Sequence, residues 1–331
     1  MVTLKDIARE AGVSVMTVSR VVNDIPAKVS CAKRMEIKGI IERMGYVPNS
    51  SARSLSSRCS RLIAIILPYA ENVLDSPYNA QMVGYICGFV QDMGYTTLLY
   101  NVRDYREVTV KLRTWNVDGA IFLGLFDSQM KSIKEDNRIP LVFTDSYSPL
   151  RQVTNVGIDD FKGGELAARH LLDKGHRNMS FVGEFSWESP VVRARFEGFK
   201  QTLLAAGTDL PERNVFTGIP ARDTLKAICA GGKPVTAFFA VADITAIYLI
   251  QNLMACGFSI PRDCSVIGFD NLAVSGLIEP PLTTIEQDIE KKARTATEIL
   301  FRHIADPARP AENVVLDVCL VERESVADRN I

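Results

Sequence analysis

Cysteine is scarce and disorganised in this chain: seven residues in 331, an odd number, with no Cys-x-x-Cys pair among them. That excludes a disulfide framework and a cysteine-based zinc site, and it fits reduced thiols in a cytoplasmic protein. Histidine is scarcer still, and His170, His176 and His303 have no partners at ligand spacing. No metal or other cofactor is therefore expected. The longest apolar run, Leu62 to Ala70, is far short of the roughly 20 residues that span a bilayer. Met1 leads into a polar, charged segment rather than a secretion signal, so no membrane association is expected. A Gly-x-Gly-x-x-Gly or phosphate-loop sequence is missing, which leaves nucleotide chemistry without a motif. His176, between Gly175 and Arg177, has no serine elbow, cysteine dyad or paired carboxylate beside it, and it reads as a turn histidine. The chain is expected not to be an enzyme.

What is present begins with size and charge. At 331 residues, 47% apolar and 23% charged, the chain is globular rather than disordered and long enough for two or three domains. Residues 1–60 carry ten Lys/Arg against five Asp/Glu, a net of +5, whereas the other 271 residues carry a net of −6. A basic head on a mildly acidic body suits phosphate binding, because each neutralised phosphate releases counterions. Five surplus charges are also compatible with ordinary solvated surface, so the local pattern has to decide.

Leu4, Ile7, Ala8 and Ala11 recur at helical spacing behind Thr3, a candidate N-cap. They predict a short amphipathic helix over 4–11. Gly12 supplies a left-handed turn and Ser14 can cap a second helix, Val15 to Asn23, so the pair reads as a helix-turn-helix. In that second helix Val18, Val21 and Val22 face the first, while Val15, Met16, Thr17, Ser19 and Arg20 are free to meet a groove. A third helix is expected over Ser30 to Met44, ended by Gly45, with Tyr46-Val47-Pro48 extended after it. Asn49 can cap a short segment, Ser50 to Ser56, containing Arg53 and Leu55. Its four serines make it a poor helix in isolation, as a switch that folds against a partner would be.

The run from Thr3 to Asn23, with Gly45-Tyr-Val-Pro-Asn49 and Ala52-Arg-Ser-Leu55, resembles the lactose-repressor (LacI/GalR) family of bacterial transcription regulators. The resemblance implies that the second helix enters the major groove and that paired hinge helices wedge a leucine, here Leu55, into the minor groove at the operator centre. An ordinary apolar staple between hinge and body is the other role open to Leu55. By the same resemblance Val15, Met16 and Arg20 match the principal base readers, and Thr3, Thr17, Ser19, Asn23, Asn49 and Arg53 hold phosphate or support the fit. Val15 and Met16 are apolar and suit thymine methyls or shape, which leaves Arg20 as the donor to guanine. Two departures bear on the phosphate contacts: the connection Asn23 to Val29 is about one residue longer than the shortest family versions, and Cys31-Ala-Lys33 replaces the usual acidic pair and threonine.

Beyond residue 60, short runs rich in Ile, Val and Phe alternate with helical stretches: Leu62 to Leu67, Thr96 to Tyr100, Ala120 to Leu123, Leu141 to Thr144, Met179 to Val182, Ala237 to Val241 and Ser265 to Phe269. They predict an α/β body of two doubly wound parallel sheets, with ligand beyond the carboxyl ends of the strands. Val156-Gly-Ile-Asp-Asp160, His170 to Arg177, Arg195-Phe-Glu-Gly-Phe199, Ser265 to Asp270 and Pro281 to Ile285 resemble the same family's effector-binding body, which is similar to periplasmic sugar-binding proteins. The resemblance implies two lobes joined by three crossovers, near Asp159, Gln287 and Val318. It divides the chain into 1–48 (helix-turn-helix domain), 49–60 (hinge helix and linker), 61–159 with 288–318 (N-terminal lobe) and 160–287 with 319–331 (C-terminal lobe).

By position, Arg195 and Asp270 match the family's ligand-gripping arginine and aspartate. Asp145, Arg193 and Asp243 are further polar candidates, and Tyr78, Phe161 and Trp187 are candidate stacking walls. Each has a plainer role open to it: Arg195 as a helix cap, Asp270 as a turn aspartate, the aromatics as core or rim. Ala242 stands where the family commonly has asparagine. The expectation is a sequence-specific transcriptional regulator, a repressor, that binds a pseudo-palindromic operator as a homodimer under control of a sugar or related metabolite. The absence of a heptad-patterned C-terminal segment favours the dimer over a tetramer. A transport-type sugar receptor shares the body but has no use for the basic head; activation in place of repression, or response to a partner protein, is also compatible with the sequence.

Overall fold

A computed structural model of the chain describes residues 2–25, 29–47, 59–124, 133, 139–146, 153–183 and 189–329. It divides into two compact units, Met1–Ser60 and Arg61–Ile331.

Among its described residues the first unit holds three helices: α1 (Leu4–Glu10), α2 (Val15–Val22) and α3 (Cys31–Met44). Each begins at a hydroxyl cap, which satisfies amide protons that a helix leaves unpaired. Thr3 and Asp6 form a reciprocal capping box on α1, and its two hydrogen bonds with Thr3 hold the Asp6 carboxyl below its ordinary range. Ser14 caps α2 and Ser30 caps α3. Between α1 and α2, Gly12 takes φ +63°, a conformation that would strain a residue bearing a side chain. Ile7, Ala8, Ala11, Val18, Val21, Ile37 and Ile40 close into one apolar core.

The second unit runs from β1 (Leu62–Pro68) to β12 (Cys319–Val321), with helices between many of its strands. One six-stranded sheet has the order β11-β5-β4-β3-β1-β2 and the other β12-β10-β9-β8-β6-β7. The first comprises β1, β2 (Thr96–Val102), β3 (Gly119–Leu123), β4 (Leu141–Thr144), β5 (Asn155–Ile158) and β11 (Asn313–Leu316). The second comprises β6 (Met179–Val182), β7 (Val215–Phe216), β8 (Ala237–Ala240), β9 (Ser265–Asp270), β10 (Thr283–Glu286) and β12. Every strand pair is parallel except β10 with β12. Central strands such as β3, β8 and β9 are buried throughout, which explains their unbroken apolar runs: helices cover both faces of a parallel sheet.

The helices among the described residues of this unit are α4 (Pro77–Asp92), α5 (Val108–Thr114), α6 (Asp160–Asp173), α7 (Pro190–Ala205), α8 (Arg222–Ala230), α9 (Asp243–Ala255) and α10 (Ile289–Ala305). The chain passes from the first sheet to the second between β5 and α6, returns between β10 and α10, and crosses again between β11 and β12. Each sheet thus anchors one lobe, and polar residues at the carboxyl ends of β4, β9 and β10 meet where the lobes face each other. Among the described residues no helix is long and apolar enough to cross a membrane.

Candidate DNA-reading face and inter-lobe cleft

Helix α2 turns Val18 and Val21 into the core of the head and leaves Val15 and Met16 exposed, Met16 by 62%. Met16, Arg20 and Asn23 follow one another at helical spacing of four and three, so they share an outward stripe. Arg20 Nη2 donates to Met16 Sδ at 3.3 Å, and Asn23 Nδ2 donates to the Ser19 carbonyl at 2.9 Å. Thr17 is placed differently: its backbone N–H donates to Ser14 Oγ and its hydroxyl lies 2.9 Å from the same oxygen, which ties it to the helix start. Thr3 is likewise occupied by its box with Asp6. The expected contacts Asn49, Arg53 and Leu55 lie outside the described residues, as does Trp187.

In the body, the carboxyl ends of the strands carry a continuous polar chain. Tyr78, in the first turn of α4, donates its hydroxyl proton to Asp145 Oδ2 at 2.7 Å. Asp145 follows β4 with φ +53°, and Asp270 ends β9 with φ +121°; such backbone strain in residues other than glycine concentrates at functional sites. Arg195, on α7, donates from Nε to Asp160 Oδ1 at 2.8 Å and from Nη1 to the Val241 carbonyl at 2.7 Å. Its Nη1 also lies 3.9 Å from Asp270 Oδ1, and the guanidinium stacks over the Phe269 ring at 3.5 Å. Gln287, on the crossing between β10 and α10, donates from Nε2 to Asp270 Oδ1 at 2.5 Å.

The electrostatics of this chain are those of charge held in a low-dielectric interior. Burial raises the Tyr78 hydroxyl well above its ordinary range, and neighbouring Asp145 raises it further. Asp270 is pushed up to about 6 by burial, against the opposing pull of Arg195 and Gln287. Burial alone would lower Arg195, yet Asp160 and Asp270 together hold it above its ordinary value. Two carboxylates and one guanidinium fixed in this way can grip hydroxyl pairs or ring nitrogens through directed, charge-assisted hydrogen bonds.

The remaining expected residues occupy different places. Asp243 is fully buried at the start of α9, where it accepts from the Leu272 N–H at 2.8 Å and the Thr284 hydroxyl at 2.5 Å. Burial and Asp270 push it up to about 7, and its oxygens tie the loop after β9 to β10. Arg193 is exposed on α7, two residues from Arg195, a spacing that points it away from Arg195's face. Phe161 is 39% exposed beside Asp160. Sequence reasoning missed Asp160, Gln287 and Lys292. The signal for Lys292 was there: it interrupts an apolar stripe formed by Ile289, Ala293, Ala296 and Leu300 on one face of α10. Among the described residues no group of His, Cys, Asp and Glu could hold a metal ion.

Comparison with known proteins joins these two sites. Residues 3–49 match the family described as bacterial regulatory proteins, lacI family, and residues 168–326 match a periplasmic binding protein-like domain. The chain is 31% identical over 336 residues to the HTH-type transcriptional regulator MalR of Clostridium butyricum, covering 97% of this chain and 98% of the relative. It is also similar to a solved structure of the lac repressor dimer bound to operator and the anti-inducer ONPF, with a TM-score of 0.86, 25% identity, and coverage of 98% of this chain and 99% of that one. A third likeness is the transcriptional regulator CelR-cellobiose complex, with a TM-score of 0.71 and 28% identity, covering 98% of this chain and 100% of that one.

Proposed function

Because the chain belongs to the lacI family of bacterial regulatory proteins and is a helix-turn-helix DNA-binding transcriptional regulator, we propose that it is a homodimeric repressor whose operator affinity is set by a small polyhydroxyl metabolite in the inter-lobe cleft. It acts in the cytoplasm by binding alone, without turnover. Residues 1–48 read DNA and 49–60 link head to body; 61–159 with 288–318 and 160–287 with 319–331 are the two lobes. The observation that carries this reading is the coexistence, in one chain, of an exposed α2 stripe and a buried Arg195–Asp270 grip at the mouth of two mostly parallel sheets. The lac repressor and CelR structures, bound to operator and to cellobiose respectively, support it.

Coupling requires the effector to prefer one lobe arrangement, since equal affinity for both shifts nothing. Two-fold symmetry gives a pseudo-palindromic operator with a deformable central pyrimidine-purine step, the place for a Leu55 wedge. Selection of random duplexes with the full chain tests the first half: a palindrome should emerge, and Leu55→Ala should weaken its binding strongly while ligand affinity stays near wild type. Thermal-shift screening of sugars and related metabolites tests the second half, since a ligand that binds only the folded state raises its melting temperature. Selection that returns no palindrome overturns the proposal.

A further inference from the structure

Lysine is rarely interior, yet the Lys292 side chain is 1% exposed. Burying an ammonium costs several kcal/mol unless its protons meet well-placed acceptors. Here Nζ lies 2.9 and 3.1 Å from the two oxygens of Asp145, 3.1 Å from Tyr78 Oη and 2.5 Å from Gln287 Oε1. The Tyr78 ring adds its face at 5.3 Å, a further attraction for a cation. These partners come from three separate elements: the start of α4, the end of β4 and the crossing after β10. None is a sequence neighbour of the others, so the fold assembles a cage around one positive charge.

The orientation of each partner follows from that charge. Tyr78 gives its proton to Asp145, which leaves its oxygen lone pairs for Nζ. Gln287 turns its carbonyl oxygen to Nζ, and its amide nitrogen is thereby aimed at Asp270 on the opposite lobe. Without the ammonium the Gln287 carbonyl oxygen loses the partner that fixes it on that side, and Asp145 loses its nearest countercharge.

We propose that Asp145, Tyr78 and Gln287 form an ammonium-binding site filled by the chain's own Lys292, and that Lys292 is the positioning residue that sets both walls of the cleft. It fixes Asp145 directly on one lobe and Asp270, through Gln287, on the other. The ligand class of the emptied cage is a short primary alkylammonium. Lys292→Ala removes three carbons and the nitrogen, the size of n-propylammonium.

Melting of the full chain tests this without operator or effector, so its outcome is independent of the regulatory reading. Lys292→Ala should melt about 10 °C below wild type, the shift expected for breaking a buried ion pair in a domain of this size. Added n-propylammonium chloride should restore much of that loss in a saturable way, whereas sodium chloride at equal ionic strength and n-propanol at equal concentration should not; wild type should respond to none of the three. Lys292→Met, which fills the space without charge, should also melt low, and Asp145→Asn combined with it should recover most of the loss. Equal rescue by n-propanol, absence of rescue by n-propylammonium, or a Lys292→Met protein that melts like wild type would each overturn the proposal. Should Lys292→Ala not fold, the Lys292→Met and Asp145→Asn/Lys292→Met pair decides it alone.

Discussion

Arg195 and Asp160 are both almost wholly buried and meet at 2.8 Å, with Asp270 3.9 Å from the same guanidinium. Removing one partner strands the other in the interior, which typically costs about 3–5 kcal/mol, whereas replacing both with neutral groups is often close to neutral. Arg195→Met should therefore lower the unfolding free energy by about that much, and Asp160→Asn in the same chain should restore part of it, because Asp270 and the Val241 carbonyl also lose the guanidinium; denaturant titration of the two variants checks this. His176 gives a second test. Its Nε2 donates to the Ala327 carbonyl, so the neutral ring accepts the Thr236 hydroxyl at Nδ1, and burial pushes it down to about 4. Above its ordinary value of about 6.5 neither folded nor unfolded chain binds this proton, and the full contribution is present. As pH falls toward 4 the unfolded chain is protonated first, so stability is lost across that window. Asp243 and Asp270, raised by burial, work in the opposite sense. The difference in melting temperature between wild type and His176→Gln, followed from pH 7 to pH 4, isolates the histidine and should shrink as pH falls.

At the level of elements, caps were easier to read than edges. Thr3, Ser14, Ser30 and Gly45 mark the ends of α1, α2 and α3, and the expected bounds differ from the observed ones only where a cap had been counted into its helix. The buried strands announce themselves as runs of Ile, Val and Phe. Strand β7 is two residues long, β5 contains Asn155 and Gly157, and β11 is half exposed at its sheet's edge; none had an apolar run to declare it. Asp160 and Lys292 escaped notice for a different reason. What makes them important is convergence of distant segments in space, which no local period encodes. The closest helix packing, α6 on α7, was equally invisible: an added Cβ at Gly164 would lie 2.0 Å from the Arg195 carbonyl oxygen, and one at Gly198 would lie 2.0 Å from that of Phe161. Gly198→Ala must push the helices apart, with a loss of about 3 kcal/mol or more. It should weaken ligand binding too, because Arg195 and Phe161 sit on the displaced faces. Calorimetry of unfolding, with ligand titration once a metabolite is identified, measures both.

For the whole molecule the governing property is the separation of charge between a +5 head segment and a −6 remainder. Phosphate neutralisation by such a head makes DNA affinity fall steeply with salt, by roughly a thousandfold between 50 and 200 mM for a dimer making about six phosphate contacts. Arg20→Ala should lower discrimination at a guanine more than it changes that salt slope, because a base reader carries sequence information that a phosphate contact does not. Binding isotherms on the selected palindrome and its single-base variants, taken at several salt concentrations, separate the two effects.

Asp145, Asp270, Asn271 and Asp288 all hold left-handed backbone at or just after the ends of strands β4, β9 and β10, at a penalty of about 1–3 kcal/mol apiece. Glycine at any of them would relax the chain. Glycine at Asp145 would strand Lys292, however, and at Asp288 it would remove the cap of α10, so a mutant library sorted only for heat resistance should leave both aspartates in place. The rim thus records a compromise in which backbone ease has been surrendered so that carboxylates can be held where a visitor will meet them.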